Sequence, residues 1–372
     1  MHNALADKFG IQYPIFAFTP SEHVAAAVSR AGGLGVLGCV RFNDPEELEA
    51  TLAWMDENTD GKPYGVDIVM PAKVPTEGAA VDLDKLIPAE HRAFVNRTLD
   101  ELGVPPLSDD VEHATGVLGW LHSVARAQVD VALRHRPALI ANALGSPPKD
   151  IIDEAHAHGV PVAALAGAVG HALSHVANGV DIVIAQGYEA GGHTGEIASM
   201  VLVPEIVDAV GDSATVLAAG GIGSGRQIAA AMSLGASGVW MGSYWLTAEE
   251  YKLGSASGEG PSAIQRALLG ATSADTVRSR IYSGKPARLL KTKWTDAWSK
   301  PGAPEALPMP LQNLLVSEAH QRIVASEDPE VVAMPAGQIV GRMNEIRPVA
   351  ESMAELVAEF EATVERLNKL GG

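Results

Sequence analysis

Residues 181–195 place a histidine in a glycine-rich loop directly after an apolar run. The run, 182–186, is typical of a parallel strand buried on both faces. Loops at the carboxyl ends of such strands carry the chemistry of barrels and doubly wound sheets. Glycines let a flat ligand approach the backbone, and an imidazole accepts a proton near neutral pH. We therefore predict that His193 is catalytic, the alternative being a glycine turn with an incidental surface histidine.

Two further glycine-rich turns follow the apolar runs 215–219 and 238–241, the seventh and eighth of the chain. The first contains Gly220 and Gly221 and leads into a helical stretch, and the second contains Gly242 and Ser243. In barrels, these two loops commonly bind a phosphate through backbone N–H groups and a helix N-terminus. The turns predict a phosphate site, unless the glycines serve only to close tight turns.

Other residues that resemble functional motifs are set aside. The string 33–38 matches G-x-G-x-x-G, but a helix precedes it and the strand lies inside it, against the rule for dinucleotide-binding folds. His171 and His175 are spaced to bind zinc on a helix, yet no third ligand suggests itself, so we expect a solvated helix face and no metal site. Cys39 is expected to be a small buried hydrophobe.

Strand-like and helix-like segments alternate along the chain. Eight such repeats predict an α/β protein with the (β/α)8 TIM barrel fold, because doubly wound sheets usually have fewer strands. The predicted strands are 14–18, 34–37, 64–70, 138–144, 160–165, 182–186, 215–219 and 238–241.

Two segments lie outside this alternation. Residues 71–137, between the third and fourth strands, predict an insertion with helices around 89–102 and 109–134, in the position of a lid. We assign 1–245 to the barrel with its insertion. Residues 246–372 are expected to form a helical and irregular subdomain that packs on the barrel through an amphipathic closing helix.

Composition excludes several classes of function. The 372 residues are 47% hydrophobic, and the net charge of −18 argues against nucleic acid or an anionic membrane as a partner. The single cysteine fits a reducing compartment. Without a signal core or a membrane span, we expect a cytoplasmic enzyme that acts on a small molecule, with a homodimer left open.

The histidine loop resembles the signature of a known family. Residues 185–195 (Ala-Gln-Gly-Tyr-Glu-Ala-Gly-Gly-His-Thr-Gly) are similar to the corresponding stretch of the nitronate monooxygenases, formerly called 2-nitropropane dioxygenases, which are FMN-dependent barrels. Further segments fit in the expected order. They are 14–15, 27–35, 145–148, 219–222, 235–243, 282–288 and 336–341.

The resemblance implies an FMN site and a role for the histidine. His193 would lie near the reactive face of the flavin and serve the substrate. The implied cofactor-binding residues are Ala17, Phe18, Asp67, Gln186, Gly191, Gly192, Gly220, Gly221, Gly242 and Ser243. The chain departs from the family pattern in three places. Residues 16–20 differ from the usual stretch after the first strand, and the third strand ends in Gly-Val-Asp67 where Gly-Val-Asn is usual. The fifth strand, 162–167, has no lysine or threonine to contact the cofactor.

The reaction implied is oxidation of an alkyl nitronate, or of its parent nitroalkane, with O₂ to a carbonyl compound and nitrite. The first alternative is an NAD(P)H-dependent reductase of quinones or enoyl thioesters on the same flavin barrel. A barrel related to inosine monophosphate dehydrogenase is disfavoured, because its cysteine would be needed in the loop that holds His193. A non-enzymatic flavin or phosphate binder is the third alternative.

Overall fold

A closed parallel barrel forms the centre of the computed structural model, which describes residues 1–70, 83–107, 122–254 and 260–370. The strands within these ranges are β1 (Ile15–Thr19), β2 (Leu34–Gly38), β3 (Tyr64–Asp67), β4 (Leu139–Asn142), β5 (Val162–Ala166), β6 (Ile182–Gln186), β7 (Gly192–His193), β8 (Thr215–Ala219), β9 (Gly238–Met241), β10 (Thr276–Ser279) and β11 (Ala287–Leu290). The barrel runs in the order β1-β2-β3-β4-β5-β6-β8-β9, and β9 closes it by pairing with β1.

Helices cover the outside of the barrel and build the C-terminal part. Their bounds are α1 (Ala4–Phe9), α2 (Glu22–Arg30), α3 (Pro45–Asn58), α4 (Ala89–Glu101), α5 (His122–Arg134), α6 (Lys149–Ala157), α7 (Val169–Ala177), α8 (Ser199–Val210), α9 (Gly225–Ser233), α10 (Ala263–Leu269), α11 (Lys293–Ala297), α12 (Leu311–Ser326) and α13 (Val349–Asn368). Among the helices described, none is long and apolar enough to cross a bilayer.

The predicted TIM barrel is confirmed, with all eight predicted strands in the predicted order. Parallel strands read clearly from the sequence because both faces are buried, which produces unbroken apolar runs. Helix α3 begins as expected, with Asp44 accepting a hydrogen bond from the Glu46 N–H and Pro45 at the first helical position.

Side chains alternate between the barrel interior and the layer beneath the helices. Phe16, Val36, Leu139 and Ile184 share the interior cluster, all fully buried. Gly35, part of the G-x-G-x-x-G string, lies in β2, where an added Cβ would come within 1.9 Å of the Ala25 carbonyl oxygen. That glycine lets α2 pack directly on the strand, which explains the motif without a nucleotide.

The predicted insertion contributes to two different packing layers. Helix α4 packs against α12 in a cluster that contains Trp294 and Trp298. Helix α5 instead packs on α3 and α6, and its buried Gln128 donates hydrogen bonds to the carbonyl oxygens of Cys39 and Phe42. Helix α5 therefore occupies the outer-layer position between β3 and β4, while the beginning of that predicted helix, 109–121, lies outside the described residues.

A small antiparallel sheet in the order β10-β11-β7 was not predicted from the sequence. Strand β7 has two residues and β10 is only half-buried, so neither shows an apolar run. Residues 246–372 were expected to be helical and irregular, and the structure adds the short strands β10 and β11 to this segment. The closing helix α13 lies against α9 and α2, while the division into two subdomains stays a prediction.

We expect Asn142→Ala to destabilise the protein. The fully buried amide of Asn142 accepts from the Met70 N–H and donates to the carbonyl oxygens of Met70 and Gly145. Its loss leaves these backbone groups unpaired, at a cost of about 1–3 kcal/mol in the free energy of unfolding. Urea denaturation would measure this, with the exposed Asn344→Ala as control. Equal unfolding midpoints for the two variants would contradict the assigned role.

Candidate active site

Strand β7, which holds the motif histidine, is positioned by the C-terminal part of the chain. It pairs antiparallel with β11, so that His193 lies opposite Ala287 and Gly192 opposite Arg288. Strand β11 in turn pairs with β10 in a hairpin. The loop after β6 is therefore fixed by backbone hydrogen bonds from a segment about 90 positions later in the chain.

Two arginines of this hairpin hold the same loop. Arg288 is buried, donates to the Tyr188 carbonyl oxygen over 2.9 Å from Nη2, and lies 4.4 Å from the centre of the Tyr188 ring. Arg278 donates from Nη2 to the Thr194 carbonyl oxygen over 3.0 Å and from Nε to its hydroxyl over 3.1 Å. These contacts fix both ends of the loop around His193.

Close backbone contact explains two glycines at this point. A Cβ on Gly191 would lie 2.7 Å from the Gly337 nitrogen, and a Cβ on Gly337 would lie 2.9 Å from the Gly191 nitrogen. The Gln338 N–H also donates to the Glu189 carbonyl oxygen over 2.9 Å. The motif loop and residues 336–338 are thus interlocked without room for a side chain at either glycine.

His193 is held as a neutral imidazole. Its Nε2 lies 2.6 Å from the Oγ of the buried Ser283. Burial, together with the positive charge of Lys285, lowers the pKa of His193 to about 4. The side chain is therefore uncharged at neutral pH and able to accept a proton.

His193 lines a cavity of about 800 Å³ at the carboxyl ends of β4, β5 and β6. Predicted Gln186 lines the same cavity, as do Leu165, on β5, and Gly167, directly after β5. The cationic and titratable lining residues are Arg126, Lys149, His171, His175, His193 and Lys285. In a chain of net charge −18, this concentration of basic groups favours an anionic or electron-rich ligand.

The predicted phosphate-binding turns lie beside the motif loop. Gly220 and Gly221 have φ values of 95° and 72°, which side chains rarely adopt. A Cβ on Gly221 would lie 3.2 Å from the Glu189 Cβ. Ser243 accepts a hydrogen bond from the Gly337 N–H over 2.9 Å, which links the second turn to the interlocked glycines.

The N-terminus of α9, expected to contribute to the phosphate site, is already capped. The Gly225 N–H donates to the Glu359 carboxylate of α13 over 2.7 Å, and the Ser224 hydroxyl accepts from the Gln227 N–H. An anion at this rim would therefore depend on the N–H groups of the turns and not on the helix end.

The predicted cofactor residues Ala17, Phe18 and Gly192 lie in three different layers of the structure. Ala17 is buried in the layer beneath the helices, so its side chain faces away from the barrel interior. Phe18 stacks on Trp240 inside the barrel, and a Cβ on Gly242 would lie 3.5 Å from its ring. Gly192 has φ 73°, and a Cβ at its position would lie 4.0 Å from the Pro335 Cβ.

Asp67 is an inward-facing carboxyl at the end of β3. Its strand neighbour Gly65 faces Leu139 and Val36 of the interior, and Asp67 lies on the same side of the strand. The side chain is 2% exposed, and burial raises the pKa of Asp67 to about 7. This aspartate replaces the asparagine usual in the resembling family with a group that titrates near neutrality.

Of the residues set aside, one differs from its prediction. The prediction that His175 is solvated is wrong, because it is 2% exposed and hydrogen-bonded, whereas His171 is exposed as expected. Cys39 is fully buried, as predicted, and burial raises the pKa of its thiol. Within the described residues, no cluster of side chains could hold a metal ion.

Sequence reasoning missed the residues that hold the loop in place. Ser283, Lys285 and Arg288 lie in a segment that resembles the family, yet that resemblance gave them no individual roles. Their partners lie in a distant part of the chain, so no local pattern reveals them.

The barrel presents a neutral histidine in a basic cavity beside glycine turns. This arrangement is typical of a cofactor-dependent barrel enzyme that acts on small molecules.

Known proteins agree with this assignment. The model of the nitronate monooxygenase family matches residues 2–359. A Mycobacterium tuberculosis protein described as a monooxygenase is 47% identical over 383 aligned positions, covering 100% of this chain and 99% of the relative. The chain belongs to the nitronate monooxygenase family and is a flavin-dependent oxidoreductase.

Solved structures share the whole architecture. Nitroalkane oxidase from Streptomyces ansochromogenes is 26% identical with a TM-score of 0.79, covering 98% of this chain and 100% of that one. FabK from Thermotoga maritima is also 26% identical, with a TM-score of 0.72 and coverage of 100% and 99%.

We expect Lys285→Met to raise the pKa of His193. The positive charge of Lys285 disfavours a second positive charge on the imidazole, so its removal eases protonation. The pKa should stay below the ordinary value of 6.5, because burial is the larger cause of the shift. Histidine NMR titration would measure it, with exposed Lys291→Met as control. An unchanged or lower pKa in Lys285→Met would contradict the assigned proximity.

Proposed function

We propose that this enzyme oxidises alkyl nitronates, or their parent nitroalkanes, with FMN and O₂, to a carbonyl compound and nitrite. The observation that carries the proposal is the neutral His193, fixed by Ser283 beside the Lys285 ammonium in the cavity. This arrangement combines a proton acceptor with a cation, which suits a substrate that exists as a neutral acid and as its anion.

The residues present fit FMN as the cofactor. Gly220 and Gly221 form a turn without side chains, and backbone N–H groups in such turns bind phosphate. The Ser243 hydroxyl accepts from Gly337 and retains its own hydrogen, which it can donate to a phosphate oxygen. Gly192, next to His193, presents bare backbone that a flat ring system can approach closely. Mass spectrometry of the cofactor released from the purified protein would distinguish FMN from other flavins.

FMN when bound supplies the electron chemistry, while the protein supplies position and proton transfer. Gln186, at the end of β6, and Leu165, on β5, would contact the ligand from the cavity floor. The cavity is set in a rigid frame, since His193 is fixed through β11 and the arginines described above. Such preorganisation holds the proton acceptor at a defined distance from the substrate carbon.

His193 is suited to act as a base. Its pKa of about 4 leaves it unprotonated at pH 7, so it can take the α-proton of a neutral nitroalkane. Stabilisation of an anionic nitronate by a protonated His193 would be confined to acid pH. At neutral pH, Lys285 supplies the positive charge for the anion.

Replacing His193 should lower turnover without loss of the cofactor. A positioned proton-transfer group contributes about 10²–10⁴-fold, so we expect His193→Ala to reduce kcat on a neutral nitroalkane by that factor. Steady-state O₂ consumption and the flavin absorbance of the purified variant measure the two effects. His158→Ala is the matched control, because His158 is exposed at the end of α6. Full activity of His193→Ala on both substrate forms would overturn the catalytic assignment.

An NAD(P)H-dependent reductase is the second candidate. The likeness to FabK over the entire chain favours it, together with basic groups at the cavity that suit a phosphorylated reductant. Cys39 is buried beside β2, so nothing supports the cysteine chemistry of an inosine monophosphate dehydrogenase relative. The possible homodimer stays a prediction.

Anaerobic reduction separates the two candidates. We expect an alkyl nitronate to bleach the flavin absorbance rapidly and NADH or NADPH to do so slowly, because the base and the cation that line the cavity suit a nitronate. Stopped-flow spectroscopy measures both rates on one preparation. Rapid bleaching by a nicotinamide alone would favour the reductase, and a coloured protein reduced by none of them would indicate a flavin binder without this activity.

A further inference from the structure

A serine–histidine pair, half-buried Ser146 and buried His175, forms part of the wall of the same cavity. The Ser146 Oγ, in the loop after β4, lies 2.6 Å from the His175 Nδ1 of helix α7. The His175 Nε2 lies 3.0 Å from the Leu165 carbonyl oxygen of β5. Both side chains line the cavity, and His175 is 2% exposed. Neither the predicted catalytic residue nor the predicted cofactor site accounts for this pair.

The hydrogen positions in this pair follow from its partners. A carbonyl oxygen only accepts, so the proton of a neutral His175 lies on Nε2, which donates to Leu165. Its Nδ1 then carries a lone pair, and the short contact requires the Ser146 hydroxyl to donate to it. The hydrogen of Ser146 is therefore directed to the helix, and its oxygen presents lone pairs to the cavity.

Protonation of His175 reverses this arrangement. An imidazolium donates from both nitrogens, so Nδ1–H would donate to the Ser146 oxygen and Nε2–H would still donate to Leu165. The Ser146 hydroxyl hydrogen would then be free to point into the cavity. One proton on the buried imidazole thus converts the cavity wall from a hydrogen-bond acceptor into a donor.

A nucleophilic role for Ser146 is disfavoured by its neighbours. Acyl transfer requires N–H donors for the oxyanion, commonly from the backbone beside the nucleophile. Pro147 and Pro148 follow Ser146 directly and carry no N–H. The pair is therefore better suited to orient a hydroxyl than to activate it.

We propose that Ser146 binds an anionic oxygen of the ligand, and that His175 is the positioning residue that switches Ser146 between acceptor and donor. The proposal rests on the proposed function for the ligand class, a nitronate or its product nitrite. Anion binding should therefore tighten on acidification, through Ser146. Burial, and secondarily the charge of His171, lower the pKa of His175, so the acceptor state prevails at pH 7.

Other charged groups around the pair contribute a background that the test must remove. His171 lies on the same helix, Arg126 and Lys149 belong to α5 and α6, and Lys285, which lowers the pKa of His193, also lines the cavity. Arg126 is paired with Asp150, and Lys149 with Asp153. All of these groups persist in a Ser146→Ala variant, so the difference between that variant and the wild type isolates the hydroxyl.

The test is the affinity of the flavin-loaded protein for nitrite between pH 5 and pH 8, measured by isothermal titration calorimetry. The ratio of Kd at pH 8 to Kd at pH 5 should be about five- to tenfold larger for the wild type than for Ser146→Ala, the effect of one added hydrogen bond. His175→Gln should abolish the excess, because the amide does not titrate. Ser213→Ala, an exposed serine after α8 that does not line the cavity, is the matched control and should keep it. Equal ratios for the wild type and Ser146→Ala would overturn the proposal.

Histidine NMR of the wild type provides a readout that does not depend on any variant folding correctly. It should find His175 neutral with the proton on Nε2 at pH 7, and protonated on both nitrogens on acidification. A proton on Nδ1 at pH 7 would overturn the proposal as well. If the enzyme does not turn over nitronates but the pH dependence of nitrite affinity still depends on Ser146, only the proposed function is rejected. If the enzyme turns over nitronates but the wild type and Ser146→Ala have the same pH dependence, only this inference is rejected.

Discussion

The antiparallel pairing of β7 with β11 is the constraint on which the active site depends. A barrel provides rigid strand ends, but a glycine-rich loop on those ends has many conformations, because each glycine adds backbone freedom. Two residues of β-structure and the arginines of the hairpin remove that freedom. The histidine is consequently placed by the C-terminal part of the chain and not by the barrel strand that precedes it.

Burial of the loop also sets the chemistry of the imidazole. A histidine in water titrates near pH 6.5. Here the packing that fixes His193 also removes its hydration, and an ammonium lies close by. Position and protonation state therefore have one cause, so that the loop cannot loosen without the histidine becoming easier to protonate.

The sequence predicted the barrel because burial on both faces of parallel strands leaves a local signal, visible in runs such as Ile182–Gln186. It also singled out His193 and the glycine turns as candidates, since their types and spacing are local. It did not predict β10 and β11, because the half-buried β10 shows no apolar run and β11 pairs with the distant β7. It also did not predict that His175 is buried, since that depends on how α7 packs in the fold. A two-residue strand has no period, and a helical histidine shows its surroundings only after the helices pack.

The interlocked glycines, Gly191 and Gly337, carry a consequence for how such enzymes diversify. Contact between two bare backbones leaves no tolerance for an independently chosen residue at either position. The segment around 336–338 and the histidine loop must therefore be inherited as a matched set. If recombination combined the barrel of one homologue with the C-terminal segment of a distant one, the two glycines would no longer be matched. We expect the imidazole of His193 to be misplaced in such a protein.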